Sequence, residues 1–446
     1  MKTTVTKQRL RPVGLAMILG ALIMNFGCKP DPRIENLDLN ENIYEEVYFV
    51  SGTRLKGVRG RLNGTETAMK TMNKFFEFPI SGYELIASPA ISPVGEFGFR
   101  SGRIHEGLKL LMGANEKFYV FDMPSENIEW EFDLMGLTNA TPAVLYESTS
   151  FYEAYFGKHY AYLGTDQGVF YCLDIENKEL VWQQSAAPGT WFIGDARVYH
   201  YRSPDPLADD RYHVVVSTSD GTLYQFDALT GEVEYSIDAG VTTVSQPAYS
   251  HGKVFVNDIS GNISAINANN GSLAWTVSLP ATTNGSIVTI QNDSQLYIGG
   301  VNGQFYALSQ NDGSIIWDLD AGGAILATAE ISQSQDGMVV RKNICFTTES
   351  GWVYQVNQEG EVVWNLDLGE GPLSNTPIYS VVSRTVYISS PSGKLTGLST
   401  QTGEIAREFF DLGSGLNSNN GQSSPVLVRT NGQAKTVRFW NTGGDN

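Results

Sequence analysis

The chain has 446 residues and carries 48 Asp and Glu against 30 Lys and Arg, a net charge of −18. So acidic a surface repels phosphate backbones and anionic lipid heads, which argues against nucleic acid as a partner. Three cysteines and five histidines leave little material for a disulfide framework or a metal centre.

The first 27 residues read as an export signal. Lys2, Lys7, Arg9 and Arg11 precede an apolar run from Val13 to Met24 that is too short to span a bilayer. Gly27-Cys28 resembles the end of a bacterial lipobox, in which Cys28 becomes the lipidated mature N-terminus, although Asn25 stands where Leu is usual. Removing residues 1–27 deletes four basic residues and takes the net charge to −22. Residues 28–72, which open Lys29-Pro30-Asp31-Pro32-Arg33, are expected to be a tether, and residues 73–446 a single domain.

From residue 88 the sequence repeats. Each unit opens with Pro or a small residue before a short apolar strand, as at Thr141-Pro142-Ala143-Val144 and Gln246-Pro247-Ala248-Tyr249. Pro is tolerated there because the first residue of a strand need not donate to a ladder. A second strand (Lys253-Val254-Phe255-Val256) runs into a turn and a third, as in Asp220-Gly221-Thr222-Leu223-Tyr224-Gln225-Phe226-Asp227 and Ser260-Gly261-Asn262-Ile263-Ser264-Ala265-Ile266-Asn267. The turn glycines, at 168, 221, 261, 303, 351 and 393, are spaced by 53, 40, 42, 48 and 42 residues. Such a turn needs positive φ, and short strands at this period are the signature of propeller blades.

A second turn (Thr230-Gly231, Asn270-Gly271, Asp312-Gly313, Glu359-Gly360, Thr402-Gly403) leads to a last strand, which reaches an aromatic residue at one phase. That residue is Trp130, Trp182, Tyr235, Trp275, Trp317 or Trp364. A Trp at fixed phase reads as a wedge between neighbouring blades, contributing at most about 4–6 kcal/mol by area.

Seven complete units run from Ser88 to about Phe410. Ser424–Val428 and Thr436–Trp440 supply two more strands, and the outer pair they lack is available at Lys74–Ile80 and Glu46–Val50. An open ring would expose two sheet edges. The expected fold is therefore an all-β, eight-bladed propeller of four-stranded antiparallel blades, the last closed by N- and C-terminal strands; seven blades plus a cap is the alternative. A ring of small cores accommodates this length without splitting into domains.

The phrase Gly303-Gln304-Phe305-Tyr306-Ala307-Leu308, followed by Asp312-Gly313-Ser314-Ile315-Ile316-Trp317, resembles the pyrroloquinoline-quinone-type β-propeller repeat. That family contains quinone-dependent dehydrogenases and also cofactor-free scaffolds, among them a lipoprotein of outer-membrane β-barrel assembly. The dehydrogenases usually carry an adjacent cysteine pair, a calcium site and a catalytic acid. This sequence has no Cys-Cys, and no ligand set matches residue by residue.

Catalytic signatures are sparse. His105, His159, His200, His213 and His251 show no metal spacing, and Asp205, Asp209 and Asp210 lack the alternating oxygen ligands of a calcium loop. Asp166 and Asp220 are explained by turn geometry. Cys172 and Cys345 are expected as buried free thiols. No catalytic, cofactor-binding or metal residue is assigned, no cofactor is expected, and the one site residue is Cys28, for lipidation.

The expectation is a non-catalytic scaffold, lipid-anchored to a bacterial outer membrane and facing the periplasm or the cell surface. It would bind envelope proteins, such as β-barrel assembly subunits, through loops or strand edges on one face. The alternative is a lipoprotein that binds a glycan, with Phe151, Tyr152, Tyr155, Phe156, Trp191, Tyr199 and Tyr201 available for stacking; a quinone-dependent dehydrogenase ranks behind both. Among the unusual loops, Trp191–Arg211 reads as a long hairpin insertion in blade 3, and Ser92–Glu116 and Ser332–Arg341 as irregular segments of blades 1 and 6.

Overall fold

The computed structural model describes residues 43–51, 54–61, 72–79, 90–93, 108–122, 127–138, 140–146, 159–201, 211–240, 245–290, 293–336, 339–380, 383–390, 392, 394–410 and 426–431. The chain divides into residues Met1–Asn42 and Ile43–Asn446, and all described residues belong to the second unit. They form strands, turns and connections without a helix.

The architecture is an eight-bladed β-propeller. Blade 2 is the regular case: Ala143–Tyr146, His159–Gly164, Val169–Asp174 and Glu179–Ser185 pair antiparallel in sequence order, from the innermost strand to the outermost. Blades 3 to 7 repeat this order, beginning at Phe192, Ala248, Val288, Glu330 and Ile378 and ending at Asp238, Ser278, Asp320, Asp367 and Phe410. Middle strands are buried on both faces, whereas outermost strands alternate between exposed and half-buried. Hydrophobic clusters join blades 1 to 8 in succession; Phe170, Trp182 and Phe226, for example, link blades 2 and 3.

Blade 1 has three strand runs, Ala90–Pro93, Leu108–Asp122 and Asn127–Thr138. The middle run is itself a hairpin. Its start pairs with Ala90–Pro93 and its end with the last strand, and the Lys109 ammonium lies 2.7 Å from the Asp122 carboxylate. A straight strand would hold those residues about 40 Å apart. Asn115, at φ +54, marks the reversal, so this blade also has four arms.

Blade 8 closes the ring with a different division from the one expected. Its innermost strand is Val426–Asn431, and Ile43–Ser51, Arg54–Arg61 and Met72–Pro79 supply the other three. The chain ends thus contribute three strands and one, not two and two; Thr436–Trp440 lies outside the described residues. The propeller also begins at Ile43 rather than at residue 73, because Ile43–Ser51 and Arg54–Arg61 are ladder strands within the segment read as tether.

Two segments read as loops are ladder. Phe192–Tyr201 is the innermost strand of blade 3, paired to Arg211–Thr218 with a bulge between Ile193 and Arg197. Glu330–Asp336 and Val339–Thr347 form an unbroken hairpin in blade 6. Alternating polar residues such as Ser332, Gln333 and Ser334 hid that strand from a hydrophobic reading. Residues 94–107 of blade 1 lie outside the described residues.

The wedge between blades is a Gly on an indole. Gly231, Gly360 and Gly403 each lie against the ring of the preceding blade's Trp182, Trp317 or Trp364, and Gly271 lies against Tyr235. The indole N–H groups of Trp182, Trp275, Trp317 and Trp364 donate to the carbonyls of Ala228, Gln310, Gln358 and Thr400 in the next blade, at 2.9–3.2 Å. Where Tyr235 replaces Trp, Gln225 Nε2 donates to the Ala268 carbonyl at 3.0 Å instead. Between blades 1 and 2 the Gly phase is taken by Lys178 at φ +59, whose ammonium pairs with Glu129 at 3.0 Å.

Strand direction defines two faces. One face, here the strap face, carries the turns between second and third strands and the straps that cross to the next blade. The opposite face carries the other turns; Ile43 enters the propeller there, paired with Asn431 where the last described strand ends.

Candidate docking face

Four straps are tied to the turn of the blade they lead into. The Asp166 N–H donates to the Leu137 carbonyl at 2.9 Å, Ser219 to Trp191 at 2.8 Å, Val301 to Thr282 at 2.9 Å and Glu349 to Ala324 at 2.8 Å. One repeating backbone bond therefore stiffens the strap face where the chain enters blades 2, 3, 5 and 6.

The segment between blades 1 and 2 is held most firmly. The Met135 N–H donates to the Tyr171 hydroxyl at 2.9 Å, and the Leu137 N–H to the Asp166 carboxylate at 2.7 Å. The Thr165 hydroxyl donates to the Met135 carbonyl at 2.8 Å. Gly136 sits between them at φ +99, and a Cβ there would lie 2.5 Å from the Asp166 and Gln167 side chains. With the backbone so fixed, Met135 and Leu137 stand 63% and 52% exposed. Trp191, 45% exposed, flanks the same blade-2 turn from the far side, since the adjacent Thr190 carbonyl packs on Gly168.

A second apolar pair lies further round. Ile259 and Val301 are exposed at the second position of their turns in blades 4 and 5, on either side of Thr282-Thr283. The Thr283 N–H donates to the Ile259 carbonyl at 3.3 Å, and Val301 donates to Thr282. Large apolar side chains presented on hydrogen-bonded turns are features of interaction surfaces.

Carboxylates accompany them. The Thr218 hydroxyl and the Thr222 N–H bond Asp220 at 2.7 and 3.1 Å, and these bonds, the hydroxyl's foremost, hold its carboxyl below the usual range. Burial opposes ionisation of Glu370, but the hydroxyls of Ser392 and Ser390 and the Lys394 ammonium outweigh it and keep this carboxyl low as well. Asp220 thus follows turn geometry as expected, whereas Asp166 spends its carboxylate on a neighbouring strap.

The other sequence-derived candidates do not converge. His159 is buried, and desolvation pushes its imidazole down to about 4 despite Asp174 nearby. His213 contacts Glu234 at 2.6 Å and His251 contacts Ser250, each within blade packing. Cys172 and Cys345 are buried free thiols whose pKa burial raises. Tyr199, proposed for sugar stacking, is buried against Tyr249 at 3.9 Å and donates to Gln225. Cys28, His105, Phe151, Tyr152, Tyr155, Phe156, Asp205, Asp209 and Asp210 lie outside the described residues. Among the described residues no cluster of His, Cys, Asp and Glu is placed to hold a metal.

Sequence reading missed Met135, Leu137, Ile259 and Val301. A large apolar residue beside Gly136, or at the second position of a hairpin turn, was the available signal.

Repeated four-stranded blades joined by indole wedges define a propeller of the PQQ-repeat class. The sequence model described as outer membrane protein assembly factor BamB matches residues 114–286 and 260–409, and the chain belongs to that family. A curated relative, the outer membrane protein assembly factor BamB of Yersinia pestis, is 25% identical over 239 residues, 52% of this chain and 55% of the relative. The chain thus spans about half the length of that relative. The crystal structure of BamB from Moraxella catarrhalis is similar at TM-score 0.52 and 15% identity, over 73% of this chain and 92% of that one. The computationally designed Ika8 protein is similar at TM-score 0.50 and 15% identity, over 74% and 92%. At such identity these two likenesses concern fold alone.

Proposed function

We propose that this protein is a non-catalytic propeller scaffold of the bacterial envelope, anchored at the outer membrane through a lipid on Cys28 and facing the periplasm. It holds partner proteins of β-barrel assembly on its strap face. The observation that carries this reading is the pair Met135 and Leu137, kept in solvent by a backbone clamp from blade 2. Family membership supports the partner class. Ile43 and Asn431 lie on the opposite face.

The test is capture from detergent-solubilised envelopes with tagged full-length protein. Native protein is expected to recover β-barrel assembly subunits. The double substitution Met135→Ser and Leu137→Ser should reduce that recovery about tenfold, with thermal stability nearly unchanged because both side chains are exposed. No assembly subunits with the native protein, or equal recovery with the variant, contradicts the reading. The anchor has a separate check: Cys28→Ser should move the protein from the membrane pellet to the soluble fraction. A glycan array probes the alternative ligand, with Trp191 as the exposed stacking surface.

A further inference from the structure

Of the sulfur-bearing side chains whose surroundings are described, three are closed to solvent and one is open. Met112, Cys172 and Cys345 are fully buried, and burial raises the pKa of both thiols. Oxidation follows thiolate character and exposure, so neither thiol competes for an oxidant. Met135, at 63%, is the most exposed large apolar side chain among the described residues. Its thioether is the sulfur left in solvent.

That sulfur stands where a change of polarity has the largest effect. The Met135 N–H and carbonyl are bonded to the Tyr171 and Thr165 hydroxyls, and the Leu137 N–H and carbonyl to the Asp166 carboxylate and N–H. The Trp191 N–H donates to the Ser219 hydroxyl at 3.2 Å, and its carbonyl accepts the Ser219 N–H at 2.8 Å. Each of the six main-chain groups of these three anchors therefore has a partner inside the protein. What they offer a docking protein is side-chain surface alone. No main-chain hydrogen bond compensates when one of those side chains turns polar.

We propose that Met135 is an oxidation-sensitive switch on the docking face: a peroxide converts its thioether to the sulfoxide, and the polar sulfoxide prevents docking. This rests on the docking role assigned to that face and adds a chemical control over it. In the reaction one peroxide oxygen is transferred to Sγ, the O–O bond breaks, the sulfur gives up two electrons and the other oxygen leaves as water. The product places a strong acceptor where a partner buries apolar surface. The nearest main-chain donors, the N–H groups of Met135 and Leu137, are already committed to Tyr171 and Asp166. A docked partner covers Sγ, so the oxidant acts on the unoccupied face.

The test treats tagged full-length protein with hydrogen peroxide, removes the oxidant with catalase, locates added oxygen by peptide mass spectrometry and repeats the envelope capture. Met135 is expected to gain one oxygen while Met112, Cys172 and Cys345 gain none, and recovery of assembly subunits should fall about fivefold. Methionine sulfoxide reductase with a thiol should restore it. Met135→Leu keeps the apolar bulk without the sulfur. This variant should capture as native protein does, and the same treatment should lower its capture less than about twofold. Captured complexes should oxidise at Met135 at least about fivefold more slowly than free protein. Met135 left unoxidised, full oxidation with unchanged capture, equal rates in free and captured protein, or an equal loss in Met135→Leu overturns the proposal. Capture of no assembly subunits by untreated native protein sinks the scaffold reading, which the switch presupposes.

Discussion

Trp182→Ala is expected to lower the free energy of unfolding by about 3–5 kcal/mol, the range for emptying a buried aromatic site. The indole is 8% exposed and packs among Tyr162, Phe170 and Phe226 at centroid distances of 5.7–6.0 Å. Its lost hydrogen bond adds little, because the Ala228 carbonyl keeps the Tyr162 hydroxyl as a donor at 2.9 Å. The cost is therefore a cavity between two blades. Trp182→Phe, which keeps most of the area, should cost only about 1–2 kcal/mol.

The reciprocal change tests the same contact from the other side. Gly231 has φ +72, and a Cβ there would lie 2.5 Å from the Trp182 ring. Gly231→Ala should therefore cost about 1–3 kcal/mol from backbone strain and overpacking. In the double variant the overpacking part disappears, so the two losses should sum to more than the measured total. Chemical denaturation with hydrogen exchange on blades 2 and 3 reads all three. A loss below 1 kcal/mol for Trp182→Ala would show that the indole is not a wedge.

Glu330→Gln is expected to make the protein more stable as pH rises. Glu330 is buried in the innermost strand of blade 6, and its carboxyl accepts the Tyr379 N–H at 3.0 Å. Desolvation pushes it up to about 8, against a reference of 4.5. The folded state therefore holds a proton that the unfolded state has released, and native stability falls between about pH 4.5 and pH 8. Each unit across that window is worth about 1.4 kcal/mol at most. Gln keeps the acceptor for Tyr379 and cannot ionise. The variant should match native protein at pH 4 and exceed it by several kcal/mol at pH 9. Parallel stability curves for the two proteins would remove Glu330 as the cause.

Much of the ring was legible in the residues because blade geometry is local. Gly221, Gly261 and Gly303 announce their turns by needing positive φ, which they adopt at +88, +87 and +85. Trp275 and Trp317 announce the wedge because an indole at one phase of a repeat has only the neighbouring blade to cover it. Degenerate signals failed. Lys178 hides a turn that elsewhere uses Gly, and Ser332–Ser334 hides a strand that is buried by position and not by hydrophobicity. Val426–Asn431 pairs with Ile43–Ser51 across nearly the whole chain, so no local pattern could set that division. Met135 and Leu137 were passed over for a similar reason, since their exposure depends on hydrogen bonds from Tyr171, Asp166 and Thr165 of another blade.

By itself the sequence determined the repeat, its four-strand unit, the wedge positions and the need for closure, because each follows from turn conformation and side-chain alternation within a few residues. Only the tertiary structure decided which strands close the ring, which loops share a face, and which apolar residues remain in solvent. Those depend on the alternating direction of paired strands and on contacts between blades, which no short stretch of chain contains.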